Sequence, residues 1–247
     1  MYNNKTRNLN ISDLSGVFIT HEHDDHIRGL RVLLKKEQLP VFCTKGTFVA
    51  LESKNIQIEN FRPLVTGAEY EIDNIRCFPF KVPHDATEPI GARFEVQSNV
   101  ISLATDLGHV SSEVLEHTSD ADILCVESNY DETMLKSSIY PFWLKRRIRS
   151  PMGHLPNEGV RGILSKMKKI PQALILMHIS QESNTPALAL EALEPFLENS
   201  GAAFKQTRLS LTFQDEPGEH IMCKSVLPAQ LKESFKRESC QEIVEVA

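Results

Sequence analysis

Residues 17–26 read Val17-Phe18-Ile19-Thr20-His21-Glu22-His23-Asp24-Asp25-His26. The first four are apolar, aromatic or β-branched and read as a short buried strand. Ile27, Leu30, Val32, Leu33 and Leu34 then recur at helical spacing, which predicts a helix over 26–36. Between the two lies an H-x-H-x-D-H string. Imidazole and carboxylate are borderline-to-hard donors that suit Zn²⁺, Mn²⁺ or Fe, and no nearby thiolate selects otherwise. In a loop leaving a strand, His21 and His23 can point to one side. Asp25 and His26 open the helix and can reach a second position, so one string can serve two adjacent metals. Asp24 reads as a solvent-facing cap or spacer.

Further along, short apolar runs alternate with helical patterns. Strands are expected at 40–43, 75–80, 92–96, 100–104, 123–127, 173–178 and 204–213, with Ser98-Asn99 turning between the third and fourth. Helices are expected at 46–51, 157–169 and 186–199, the last with Pro186 in its first turn. The mixture indicates an α/β domain whose sheet is covered by helices. With no obvious linker, one domain over 1–223 is expected, and 224–247 reads as a tail or peripheral helix. Several strands end in polar clusters: Thr20-His21, Pro83-His84, Thr105-Asp106, Glu127-Ser128-Asn129 and His178-Ile179-Ser180. Such side chains can converge on one rim of a sheet.

Composition sets the outer limits. Of 247 residues 41% are hydrophobic and 24% charged, which excludes a collagen, a disordered acidic tail and a disulfide-dense mini-protein. A net charge of −6 argues against bulk electrostatic binding of DNA or an anionic membrane. The opening MYNNKTRNLN lacks the apolar stretch of a signal peptide, and no apolar run approaches about 18 residues. Cys43, Cys77, Cys125, Cys223 and Cys240 are odd in number, widely spaced and without a C-x-x-C pair. Reduced thiols and a cytoplasmic location are the expectation.

H-x-H-x-D-H after an apolar strand resembles the signature of the metallo-β-lactamase superfamily. VPHDATEPIGARFE (82–95), ISLATDLGHV (101–110), VESNYDETML (126–135), GHLPNEGV (153–160) and MHISQESNTPALALEAL (177–193) resemble its bacterial YycJ/WalJ branch. The likeness runs from about Gly16 to about Glu216. It implies an αββα sandwich and a hydrolase with two divalent metal ions, Zn²⁺ foremost and Mn²⁺ as the alternative. By the same resemblance His21, His23 and His84 would hold the first metal, Asp25, His26 and His178 the second, and Asp106 would bridge them. Bland alternatives stand beside these: His84 as a surface turn residue, Asp106 as a helix cap, His178 as a core histidine. His154, in GHLPN, resembles a histidine that approaches the phosphate or leaving group, with a loop-structuring role as its alternative. His109 and His117 read as structural and His220 as solvated. The family carries several dozen residues before the string, where twenty stand here. The first strands of the N-terminal sheet are therefore expected to be missing, through a misassigned start or a shortened protein, leaving an exposed sheet edge.

The expected chemistry is attack by a metal-bridging hydroxide, with Asp25 orienting the nucleophile and Glu22, Thr20 or Ser180 holding ligand imidazoles. For the substrate, residues 133–157 contain no acid but hold Lys136, Lys145, Arg146, Arg147 and Arg149, interleaved with Tyr140, Phe142 and the sole tryptophan, Trp143. Lys145, Arg146, Arg147 and Arg149 are the candidate substrate contacts, because cations among aromatics suit phosphates and stacked bases. The alternative is a solvated helix face with Phe142 and Trp143 in the core. The expected activity is phosphodiester hydrolysis, on DNA or RNA, and the resemblance to the YycJ/WalJ branch implies the 5′-to-3′ exonuclease kind. A small-molecule ester, thioester or lactone hydrolase and a non-catalytic metal-binding protein remain alternatives. No membrane partner is expected, and an open sheet edge would favour a homo-oligomer.

Overall fold

A computed structural model describes residues 10–199, 204–214, 216, 218, 219 and 221. The expected boundary at 223/224, His220, Cys223 and Cys240 lie outside the described residues. Ten strands are present among them: β1 (Val17–Phe18), β2 (Val41–Thr44), β3 (Phe61–Leu64), β4 (Tyr70–Ile72), β5 (Ile75–Lys81), β6 (Ile90–Val96), β7 (Asn99–Ala104), β8 (Ile123–Glu127), β9 (Ala173–Met177) and β10 (Arg208–Leu211). The helices among them are α1 (Asp24–Ile27), α2 (Leu30–Lys36), α3 (Lys45–Ser53), α4 (Ser112–Thr118), α5 (Glu132–Ser137), α6 (Phe142–Ile148), α7 (Val160–Leu164), α8 (Pro186–Glu191) and α9 (Glu194–Asn199).

The strands form two sheets. The smaller is parallel, in the order β1-β2-β3, and the larger runs β10-β9-β8-β7-β6-β5-β4. In the larger sheet β7 to β10 are parallel, whereas β4 to β7 alternate in direction. β8 and β9 are apolar at nearly every position because both of their faces are covered. The period of two divides them cleanly. Leu124, Val126, Leu174 and Leu176 pack with Val114 of α4, Ile163 of α7 and Ala189 of α8. Ile123, Cys125, Ala173, Ile175 and Met177 fill the opposite face with Phe94 of β6. Phe94 also meets Phe18 of the small sheet edge-to-face, ring centroids 5.6 Å apart. The small sheet buries Val41 and Cys43 against Ile27, Leu30 and Leu51 of its own helices. The result is the αββα sandwich.

Direction of travel places the chemistry. β5 and β7 are both antiparallel to β6, and β8 and β9 are parallel to β7. The C-terminal ends of β5, β7, β8 and β9 therefore share one rim. The chain after β1 reaches the same rim, where Ile90 N–H donates to the Thr20 carbonyl at 3.1 Å.

Several elements differ in extent from the sequence reading. The helix over 26–36 is two pieces, broken at Arg28-Gly29. The stretch 157–169 holds only a 3₁₀ turn and the short α7, and 186–199 is two helices with Pro195 just inside the second. The β6–β7 turn is Gln97-Ser98, one residue earlier than read, because Val96 pairs with Asn99 and Gln97 takes φ +54°. β3 and β4 were not legible: Phe61-Arg62-Pro63-Leu64 and Tyr70-Glu71-Ile72 are short and alternate weakly.

Candidate metal centre

The proposed ligands sit just beyond strand ends, except Asp25 and His26, which lie in the short helix that follows β1. β1 leads to His21, and His23 precedes α1 in extended conformation with Asp24 and Asp25 in the helix's first turn. Acids there complement the positive end of the helix. β7 leads to Asp106 and β9 to His178, both in the left-handed region at φ +56°. Such conformations are costly for residues with a side chain and persist at sites where the surroundings enforce them. They turn the chain sharply off the strand so that both side chains face the rim.

The donor atoms gather in two trios joined by a carboxylate. His21, His23 and His84 form one trio and Asp25, His26 and His178 the other, with the donor atoms of each within 4.8 Å of one another; His21, His26 and Asp106 form a third such set between them. His84 Nε2 lies 3.1 Å from His23 Nδ1. His178 Nε2 lies 3.1 Å from Asp25 Oδ2. Asp106 Oδ2 is 3.2 Å from His26 Nε2, and its Oδ1 is 3.5 Å from His178 Nε2 and 3.7 Å from His84 Nε2. The reading of Asp106 as a helix cap finds no support in these contacts, and His84, wholly buried, is no surface turn residue.

The far nitrogens of these rings are tied down. His84 Nδ1 donates to the Gly153 carbonyl at 3.0 Å. The Thr20 hydroxyl bridges His21 Nδ1 and His26 Nδ1, at 3.1 and 3.2 Å. His178 Nδ1 meets Glu127 Oε1 at 2.9 Å. Each arrangement leaves Nε2 facing the centre, the orientation a metal-bound imidazole takes. His21 Nε2 and His26 Nε2 are buried without a hydrogen-bond partner; the latter faces Asp106 at 3.2 Å, outside hydrogen-bond alignment. Orphaned buried nitrogens are costly unless something accepts their lone pairs. Two of them in a nest of imidazoles and carboxylates fit a divalent cation. Burial pushes the His21 imidazole down to about 2 against the pull of Asp106, keeping its lone pair free. Burial lowers His84 in the same sense.

Of the three suggested supports for the ligand rings, only Thr20 acts as one. Glu22 Oε1 instead accepts from the Thr87 amide and hydroxyl at 2.8 and 2.6 Å, pinning the loop that carries His84. The Ser180 hydroxyl is 2.9 Å from that of Ser183. The support that sequence reasoning missed is Glu127. Fully buried, it accepts from His154 Nδ1 at 2.7 Å and His178 Nδ1 at 2.9 Å, and from the Leu107 and Leu155 amides at 2.6 and 3.0 Å. Its place in a strand-end polar cluster was the available signal. Desolvation disfavours charge on His154 and His178, yet the surrounding carboxylates outweigh it and raise both. Burial likewise opposes ionisation of Asp106, which the nearby histidines hold well below the usual carboxylate range.

The centre opens into a cavity of about 270 Å³ whose lining includes Asp25, Asp106, His154, His178, Lys54 and Arg147. Asp24 is exposed and paired with Lys54, which fits its reading as a solvent-facing residue. Lys54 was not singled out from sequence. Arg147 clasps Asp85, its Nη2 2.8 Å from Oδ1. Lys145 Nζ donates to the Lys136 and Ser138 carbonyls, each at 2.7 Å, and Arg149 pairs with Glu132 at 2.9 Å. The carboxylates lie at the edge of the basic stretch or elsewhere in the chain, so the local charge read from sequence is partly neutralised in space. Phe142 and Trp143 are exposed, against the reading that placed them in the core. His109 and His117 are structural, as read: His109 Nδ1 donates to the Pro151 carbonyl at 2.9 Å, and His117 stacks on Phe80.

A family model for the β-lactamase superfamily domain matches residues 3–179. The exodeoxyribonuclease YycJ of Bacillus anthracis is 35% identical over 200 residues, covering 80% of this chain and 76% of that protein. The exodeoxyribonuclease WalJ of Streptococcus pneumoniae is 32% identical over 182 residues, covering 72% and 68%. Among solved structures, the metallo-β-lactamase fold protein YhfI of Bacillus subtilis aligns over 83% of this chain and 77% of its own, with a TM-score of 0.62 at 15% identity. At that identity the likeness concerns the fold.

Proposed function

Because this chain belongs to the β-lactamase superfamily, we propose that it is a binuclear metal-dependent hydrolase cleaving phosphodiester bonds of nucleic acid. His21, His23 and His84 would hold one divalent cation and Asp25, His26 and His178 the second, with Asp106 reaching both sets. The donor set contains no thiolate and is rich in imidazole, which suits Zn²⁺, with Mn²⁺ as the alternative. The observation that carries this reading is the pair of buried, unpartnered Nε2 atoms of His21 and His26 among converging carboxylates. When bound, the cations supply Lewis-acid polarisation of a phosphoryl oxygen and acidify water.

The chain's own residues supply orientation and proton transfer. Asp25, half exposed at the cavity, offers a carboxylate oxygen to orient the attacking water. His154 has Nδ1 engaged by Glu127, so Nε2 is the nitrogen available to give a proton to the leaving oxygen. Asp106 and Glu127 hold the surrounding imidazoles in place. The exodeoxyribonuclease names of the two relatives support DNA as the polymer.

Elemental analysis beside a nuclease assay tests this. The wild type is expected to carry about two metal equivalents and to cleave DNA in a chelator-sensitive manner. His23→Ala should lose metal and activity together. Undiminished cleavage by His23→Ala, or by wild type freed of metal, would overturn the reading.

A further inference from the structure

The helix that carries Arg147 into the cavity wall also carries the most exposed aromatics among the described residues. Among the described residues Phe142 is 76% and Trp143 66% exposed, and Ile139 just before them is 88% exposed. Packing does not require them outside or in, because α6 already seals its inner face. Leu144 and Ile148, with Tyr140, bury against Tyr130 and Leu135. Large apolar groups clustered in water mark a binding surface.

The spacing on α6 is informative. Trp143 and Arg147 are four residues apart, as are Phe142 and Arg146, so each pair shares a face of the helix. The Arg146 guanidinium lies over the Phe142 ring, 6.0 Å from its centroid. Among the described residues Arg146 has no carboxylate partner, unlike Arg147 and Arg149. Arg147 lines the cavity, and Trp143 lies one turn back along α6 from it. Four residues along a helix rise about 6 Å, close to the roughly 6.8 Å of two nucleotide steps.

Resting on the reading under Proposed function, we infer that α6 is a stacking track for the single-stranded end of the nucleic acid cut at the centre. Arg147 and Arg146 meet the phosphates next to the cavity, and Trp143 and Phe142 stack on the bases beyond. Continuity with the cavity through Arg147, and an Arg146 with no carboxylate partner among the described residues, favour a polyanion over a second copy of a chain whose net charge is −6.

Trp143 is the only tryptophan, so its fluorescence reports on the track directly. The metal-loaded full chain is titrated with a cleavage-resistant phosphorothioate oligothymidylate of about 12 nucleotides and with an abasic strand of equal length and backbone. Quenching by the first and not by the second is expected. In cleavage assays with the same metal, Trp143→Ala should raise KM for an unmodified long oligonucleotide about 10-fold, as loss of one stacked base would. A dinucleotide too short to reach Trp143 is the reference substrate. Unchanged fluorescence, equal quenching by the abasic strand, or quenching only by anionic vesicles would overturn the track. So would a dimer, seen by sedimentation, that Trp143→Ala dissociates while oligonucleotide binding persists. Quenching without any metal-dependent cleavage would instead overturn the proposed hydrolase and leave the stacking surface standing.

Discussion

At the scale of single residues, Glu127 ties the ends of β7, β8 and β9 to the loop after α6. Its two oxygens accept from two imidazoles and two backbone amides, all inside the protein. A carboxylate is an acceptor at both oxygens, whereas an amide offers two donors on one side. Glu127→Gln therefore confronts at least one N–H with another N–H in a buried site. His154 and His178 would lose their orientation without any change in size of the side chain at 127. The expected outcome is a fall in kcat of about 10–100-fold, with reduced metal occupancy, because partners of ligand imidazoles carry effects of that order. Steady-state cleavage assays and elemental analysis check it. Wild-type kcat and metal content in Glu127→Gln would remove Glu127 from the machinery.

At the scale of elements, the site depends on how the loop after α6 returns to the rim. The Gly153 carbonyl accepts from His84, and the next residue is His154, whose amide donates to the Ile148 carbonyl at 2.8 Å. The end of α6 is so close that a Cβ on Gly153 would stand 2.2 Å from the Arg147 carbonyl oxygen and 2.3 Å from that of Ile148. Neither neighbour is a flexible side-chain tip, so backbone must move. Gly153→Ala is expected to cost about 1–3 kcal/mol of stability, the usual range for overpacking, and to impair cleavage by shifting His84 and His154 together. Denaturant unfolding read beside activity checks both halves. Wild-type values in both would mean that the loop adapts freely. The same element explains a gap in the sequence reading. The basic stretch was visible as charge, but Asp85 and Glu132 answer Arg147 and Arg149 from the β5–β6 loop and from α5.

At the scale of the whole molecule, the rim brings together four carboxylates (Asp25, Asp85, Asp106 and Glu127) and six imidazoles from distant parts of the chain. Metal that binds only this folded arrangement must stabilise it. Chelation is expected to lower the unfolding free energy by about 4 kcal/mol if metal was present near 1,000 times its Kd. A thermal scan with and without EDTA checks this. Identical Tm values, with metal shown to be absent from the treated sample only, would contradict the assignment.

The chain alone was enough to set four candidate ligands side by side at one place. H-x-H-x-D-H is contiguous, and short-range spacing decides that His21, His23, Asp25 and His26 leave one strand together. Apolar runs likewise announced β7, β8 and β9, because strands buried on both faces need little else. What the sequence left open depends on distance through space. His84, Asp106 and His178 reach the centre only because β5, β7 and β9 point the same way in one sheet. Glu127 gained its role from buried contacts at the ends of neighbouring strands. Trp143 was left in water because Tyr140, Leu144 and Ile148 had already filled the inward side of their segment. Local pattern fixes which groups are on hand; packing fixes which of them meet.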